Sequence, residues 1–197
     1  MKEASSLGYR LVKPEALYAW FKIRDTGEKS LLLEEGSRLN IGKNIKLWEG
    51  AEYLAVALCT IGAELEKRVT ELFSQGEPVL ASILDSVGSV AADSLEAQIQ
   101  QRICQQAHQS GMIVGPKLYP GSRDWQLSEQ RTIFRLLPAA RIGVTLTEQC
   151  MMMPRKSVSF CSGAGGEAIW RGLDSKEVTN PCQLCSMVNC PYRRLEL

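Results

Sequence analysis

Residues 53–76 read YLAVALCTIGAELEKRVTELFSQG, and this stretch decides the fold. Tyr53 to Cys59 is an apolar run of strand length, and Thr60-Ile61-Gly62 lets the chain turn straight out of it. Leu65, Val69, Leu72 and Phe73 then fall at i, i+4, i+7 and i+8, one face of a helix that Gly76 closes. An apolar strand followed by an amphipathic helix describes a central strand with a helix laid over it. We read 53–59 as a buried strand and 63–75 as a helix packed on its sheet.

Working outward, Pro78 suits the first turn of a helix, where its missing N–H costs nothing. Val79, Ile83, Val87, Val90, Ala91, Leu95, Ile99 and Ile103 carry an apolar stripe through a long helix over 78–108, with Gly88 a point of bending. Ser128 is placed to cap a helix over 128–137 that buries Ile133, Phe134 and Leu137 and stops at Pro138. Ile142, Val144 and Leu146 alternate with polar residues, predicting a strand over 141–147, with 156–161 as its antiparallel partner across Met151 to Arg155. Residues 9–49 offer brief strands such as Leu31-Leu32-Leu33 and a polar turn at Asp25-Thr26-Gly27. The fold class is α+β, an antiparallel or mixed sheet flanked by helices.

The chain of 197 residues carries 23 Lys and Arg against 22 Asp and Glu. It has no net field to attract a polyanion, so nucleic acid is excluded as an expected partner. The N-terminal residues lack the apolar core of a secretory signal, and no stretch reaches roughly eighteen uninterrupted apolar residues. We expect a soluble, cytoplasmic protein with no membrane association, built as one principal domain over 1–175 and a cysteine-rich tail over 176–197.

Seven cysteines are an odd count for a disulfide framework. Cys59, Cys104, Cys150 and Cys161 are scattered, whereas Cys182, Cys185 and Cys190 crowd into NPCQLCSMVNCPYRR, residues 180–194. The Cys182-x-x-Cys185 spacing lets two thiolates converge on one ion, and Cys190 reaches it after a short loop. This predicts a metal centre of three local ligands, with Cys161 or Cys150, solvent or a partner as the fourth. Zinc and an iron–sulfur cluster remain alternatives: the triplet follows a zinc knuckle in part, and the spacing departs from a standard ferredoxin run.

Other features carry less chemistry. Gly163-Ala164-Gly165-Gly166 lacks the lysine of a phosphate loop and reads as a flexible turn. Met151, Met152 and Met153 read as core filling. His108 is the single histidine, in a polar run, and no nucleophile assembles around it. Glu96, on the long helix, reads by itself as a solvated charge, and Lys117 to Trp125 as a surface turn around Pro120-Gly121.

Three stretches in order give a further reading. CTIGAELEKRV with LDSVGSVAADSLE (59–69 and 84–96), GPKLYPGSRDWQL (115–127) and GVTLTEQCMMMPRKSVS (143–159) resemble the reactivation domain of cobalamin-dependent methionine synthase and its single-domain relatives. The likeness runs over roughly two thirds of the chain, and the last stretch is its most specific part. The resemblance implies a curved antiparallel sheet, a role in returning oxidised cobalamin to its methylated form, and S-adenosylmethionine beside the Pro-Gly loop. Carried onto this sequence, it implies Glu96, Lys117, Tyr119, Pro120, Gly121 and Ser122 as S-adenosylmethionine-binding residues. It implies a corrinoid- or cobalamin-carrying methyltransferase and a redox protein as partners.

The sequence departs from that pattern in places. Lys117 stands at the loop arginine of Arg-x-x-Pro-Gly-Tyr and Ser122 at its tyrosine, while Phe160, Cys161 and Ser162 follow Ser-Val-Ser where the family has a further tyrosine. A lysine meets a carboxylate as a point charge, without the planar fork of arginine. The leading reading is a reactivation factor for a corrinoid methyltransferase, working in trans. The alternative is a non-catalytic corrinoid-protein binding or assembly module with a structural metal.

Overall fold

The computed structural model describes residues 2–122 and 124–166, the first four of these by their backbone alone. In chain order these form α1 (Lys2–Leu11), β1 (Glu15–Thr26), β2 (Ser30–Leu33), β3 (Arg38–Asn40), β4 (Tyr53–Thr60), α2 (Glu64–Ser74), α3 (Pro78–Gln109), β5 (Ile113–Leu118), α4 (Gln130–Leu136), β6 (Thr145–Leu146), β7 (Met152–Met153) and β8 (Ser157–Gly165). Six strands make one sheet in the order β3-β2-β1-β4-β8-β5, and β6 with β7 makes a second, two-stranded one. The β1–β2, β2–β3 and β5–β8 pairs are antiparallel. Glu52 N–H donates to Ala164 O and Ile61 N–H to Lys156 O, so β4 and β8 also run in opposite senses. The fold is α+β, as the sequence predicts.

The described residues divide into two compact units, one within 2–19, 57–102 and 133–159 and another within 20–56, 103–132 and 160–166. The first unit is the helical one. Leu65, Val69 and Leu72 of α2 meet Ala81, Leu84 and Ala92 of α3 around Ile61, and Leu7 and Leu11 of α1 pack against them. The turn between α2 and α3 needs Gly76, at φ +78, where the left-handed conformation costs glycine nothing. Its N–H donates to Phe73 O while the Glu77 N–H reaches back to Leu72 O, and Pro78 starts the next helix.

Helix α3 buries the predicted Ile99 and Ile103, with Ala91 and Leu95 packed partly on the core, but its N-terminal half turns in part to another face. Val79 and Val90 are 73% and 68% exposed, while Ala81, Leu84, Gly88 and Ala92 face inward. Small residues win that face because the neighbouring elements come close. A Cβ on Gly88 would stand 2.7 Å from Leu65 Cδ2, and one on Gly8 of α1 would stand 2.6 Å from Val87 Cγ1. By length and composition α3 is also a helix capable of crossing a membrane, although Asp85, Asp93 and Glu96 lie along it.

The predicted strand over 141–147 and its pairing with 156–161 are not formed. Residues Ala139–Ile142 make a 3-10 turn ending on Gly143 at φ +68, and only Thr145–Leu146 remain extended, paired with Met152–Met153. β8 lies between β4 and β5 instead. Alternation in 141–147 was a real apolar rhythm, but with Ile142 in the turn just Val144 of the three is buried. The methionines are not core either: Met151 is 53% exposed and Met153 43%. The short β6–β7 hairpin holds them at the surface. Ser128 caps no helix; it sits inside the 3-10 turn Leu127–Glu129, whose N-cap residue is Gln126.

In the second unit, Leu31 and Leu33 of β2, Leu39 of β3, Ile41, Trp48, Trp125 and Phe160 are fully or almost fully buried. Trp48 arrives on the 3-10 turn Gly42–Trp48 and meets Trp125 edge to face, centroids 6.0 Å apart. Against Trp48 lies Gly163, where a Cβ would stand 2.8 Å from the indole Cγ. This corrects the reading of 163–166 as a flexible turn. Gly163, Ala164 and Gly165 are buried residues of β8, small because the tryptophan occupies the space above them.

Candidate functional site

The loop singled out in the sequence leaves the end of β5, an edge strand of the sheet. β5 pairs with β8 so that Lys117 faces Ser162 and Leu118 faces Cys161, after a bulge between Val114 and Lys117. Trp48 Nε1 donates to the Pro116 carbonyl at 3.1 Å, fixing the backbone immediately before Lys117. Beyond β5 the chain closes on itself: the Gly121 N–H donates to Trp125 O at 2.9 Å, the Ser122 N–H to Tyr119 O at 3.0 Å, and the Trp125 N–H to Ser122 O at 3.1 Å. Gly121 at φ +88 makes that reversal possible, and Pro120 is buried beneath it.

Side chains divide between holding the loop and facing outward. The Ser122 hydroxyl donates to Tyr119 O at 2.6 Å, so it closes the loop. Lys117 is half-buried, and its ammonium stands 5.6 Å from the centroid of the Phe160 ring. The same ring packs against Tyr119, centroids 6.3 Å apart and planes at 55°. Glu129 anchors the far side of the loop: its carboxylate accepts the Asn40 N–H at 3.2 Å and Asn40 Nδ2 at 3.0 Å. Among the described residues Trp125 Nε1 is buried without an acceptor.

Of the remaining site residues, Glu96 lies in the first unit on α3 and is 8% exposed, a buried carboxylate and not a solvated one. Cys161 is fully buried in β8, and burial pushes its thiol pKa well above the ordinary value of 9.0. Cys182, Cys185 and Cys190 lie outside the described residues. Among the described residues no group of three His, Cys, Asp or Glu side chains is placed to hold a metal ion.

Phe160, Trp48 and Trp125 are contributors that the sequence did not assign. Phe160 was visible only as the residue following Ser-Val-Ser, and nothing in the sequence around Trp48 signals that it reaches Pro116. At the end of β5 the loop carries a half-buried cation on an aromatic ring, beside a turn tightened by its own hydrogen bonds.

The family profile for the activation domain of vitamin B12-dependent methionine synthase matches residues 46–170. The chain belongs to this family. The matched segment contains β4, α2, α3, the Lys117 loop and all of β8. Among solved structures, the fold is similar to the crystal structure of the MetH reactivation domain bound to AdoHcy, with a TM-score of 0.64 and 16% sequence identity. That alignment covers 82% of this chain and 63% of the other, so the chain spans less than two thirds of its length. A comparison with curated protein sequences finds no match.

The ligand class that the resemblance implies needs a partner for its carboxylate. For the carboxylate of an adenosyl amino acid, the cation this loop offers is Lys117, over the Phe160 ring. Ser122 spends its hydroxyl proton on its own loop and keeps only acceptor capacity.

Proposed function

We propose that this chain is a reactivation factor for a cobalamin- or corrinoid-dependent methyltransferase, holding S-adenosylmethionine at the loop from Lys117 to Ser122. The observation that carries the reading is the placement of Lys117. By the resemblance of its Lys-x-x-Pro-Gly-Ser loop, Lys117 takes the position of the family's loop arginine, and it lies half-buried within the segment that the family matches. The AdoHcy held by the MetH reactivation domain supports the ligand class.

S-adenosylmethionine, when bound, supplies the methyl group, with the cobalamin on a partner protein and the electron from a redox protein. The residues of this chain bind and orient. Lys117 pairs with the ligand carboxylate, while Tyr119, Pro120 and Gly121 form the wall of the loop and Ser122 keeps it closed. Glu96 is included on the family's acidic position alone. Cys182, Cys185 and Cys190 are proposed to hold one iron–sulfur or zinc centre in the tail, with Cys161 the candidate fourth ligand from the sheet.

The test is titration of the full chain with AdoHcy by calorimetry. Saturable binding is expected, weakened in Lys117→Ala by the roughly 1.5–3 kcal/mol of a charge-assisted hydrogen bond. An unchanged dissociation constant would place the ligand elsewhere. Absence of binding at millimolar ligand would leave the assembly module, a reading favoured by the inward turn of the Ser122 hydroxyl.

A further inference from the structure

We propose that Phe160 is a positioning residue for Lys117, holding its ammonium as a fixed point charge for the carboxylate of an adenosyl amino acid. The inference rests on the reading of this loop as the ligand site, and it assigns the specificity of that site to a residue outside the loop.

Register brings the pair together. Lys117 lies directly across from Ser162, and Phe160 is two residues along β8 from Ser162, hence on the same face and diagonal to the lysine. The separation of 5.6 Å from ammonium to ring centroid is within the range where the negative face of a benzene ring attracts a cation. Phe160 is fully buried and braced by Tyr119, so the ring is a rigid support and not a second mobile side chain.

The physical need for such a support follows from the residue type at 117. An arginine brings a planar fork that aligns itself on a carboxylate. A lysine brings a compact charge on a flexible four-carbon stem, whose rotational freedom is lost when it binds. Stacking on Phe160 restricts that stem before any ligand arrives, so less freedom remains to be lost. The aromatic ring thereby replaces part of the geometric precision that the lysine lacks. Recognition then depends on the negative charge of the ligand's end group. A nucleoside thioether without that charge gains nothing from Phe160.

The experiment replaces Phe160 by progressively fluorinated phenylalanines, which drain charge from the ring face while keeping its shape, and adds Phe160→Leu as the limiting case. Each protein is titrated with AdoHcy and with decarboxylated AdoHcy. The expected result is a stepwise loss of AdoHcy affinity with fluorination, reaching roughly tenfold in Phe160→Leu, and no change for the decarboxylated ligand. Affinity for AdoHcy that is flat across the fluorinated series overturns the role of Phe160 while leaving the loop as the binding site. Equal losses for both ligands reduce Phe160 to a packing residue and overturn the proposal as well. A wild-type protein that binds neither ligand removes both this inference and the site reading beneath it. Because the fluorinated rings preserve the buried volume, the outcome stands even if Phe160→Leu does not fold.

Discussion

Trp48 and Trp125 stand edge to face at 86°, and the indole N–H of Trp48 is spent on the carbonyl of Pro116. One residue therefore joins the 3-10 turn Gly42–Trp48, the foot of the Lys117 loop and the far arm of that loop. Trp48→Phe removes the hydrogen bond, worth about 1 kcal/mol, and leaves a void beside Trp125. The expected loss is about 2 kcal/mol, read as a lower urea midpoint with an unchanged slope. An unmoved midpoint would show that the tryptophan is not what fixes the loop.

Gly163 and Gly166 make a matched pair. A Cβ on Gly163 would stand 2.8 Å and 2.9 Å from Trp48 ring atoms and 3.0 Å from the Ala51 Cβ, whereas none of the described residues lies within 4 Å of one on Gly166. Gly163→Ala should destabilise the protein by about 1–3 kcal/mol through overpacking. Gly166→Ala should stay within about 0.5 kcal/mol of wild type. Thermal melts of both variants check the contrast, and equal effects would contradict the placement of β8.

In the first unit, the Lys156 N–H donates to Glu66 Oε1 at 2.7 Å, although 90 residues separate them. The Lys156 ammonium is itself held by Asp85 Oδ1 at 2.9 Å and Ser89 Oγ at 2.8 Å. Glu66→Ala leaves the backbone N–H without its charged acceptor, costing about 1.5–3 kcal/mol, and Glu66→Gln should recover part of it. Amide hydrogen exchange at Lys156 should accelerate in the alanine variant. Unaltered exchange there would mean that the carboxylate does not pin this segment.

Lys67, by hydrogen bond and then by charge, lowers the pKa of the Glu64 carboxyl below the ordinary 4.5. A lowered folded-state pKa gives stability that is present above the unfolded value and lost as pH falls through the folded one. Glu64→Gln should therefore cost a little stability at neutral pH and nothing in strong acid. The pair is exposed, so the effect is small and shrinks with added salt. Urea titrations of both proteins at the two pH values measure it; a deficit that persists in acid would point to a cause other than the ion pair.

The cysteine tail is tested by metal and sulfide analysis after anaerobic purification. Cys185→Ser is expected to lose the metal, because Cys182 and Cys185 are the two ligands closest in sequence and chelation there orders little additional chain. Metal retained in that variant would reject the centre. Retention in Cys161→Ser would keep the centre and move its fourth ligand off the sheet. Iron with sulfide selects the redox form and zinc the structural one.

What the sequence determined by itself is whatever a short segment decides alone. β4 was legible because a strand buried on both sides must be apolar at every position. α2 was legible because Leu65, Val69 and Leu72 repeat with the helical period, and the loop because Pro120-Gly121 demands a turn. The tertiary structure decided which segments meet. Local periodicity is silent on partners, so β8 found β4 and β5, while Thr145–Leu146 paired with Met152–Met153. Close approach also selects for small side chains over apolar ones. That is why α3 buries Gly88 and Ala92 and exposes Val79 and Val90, and why Gly163 is strand under Trp48. The pairing of Lys117 with Phe160 belongs to the same class: two residues far apart in the chain, each ordinary alone, made into a charge on a ring by the register of β5 on β8.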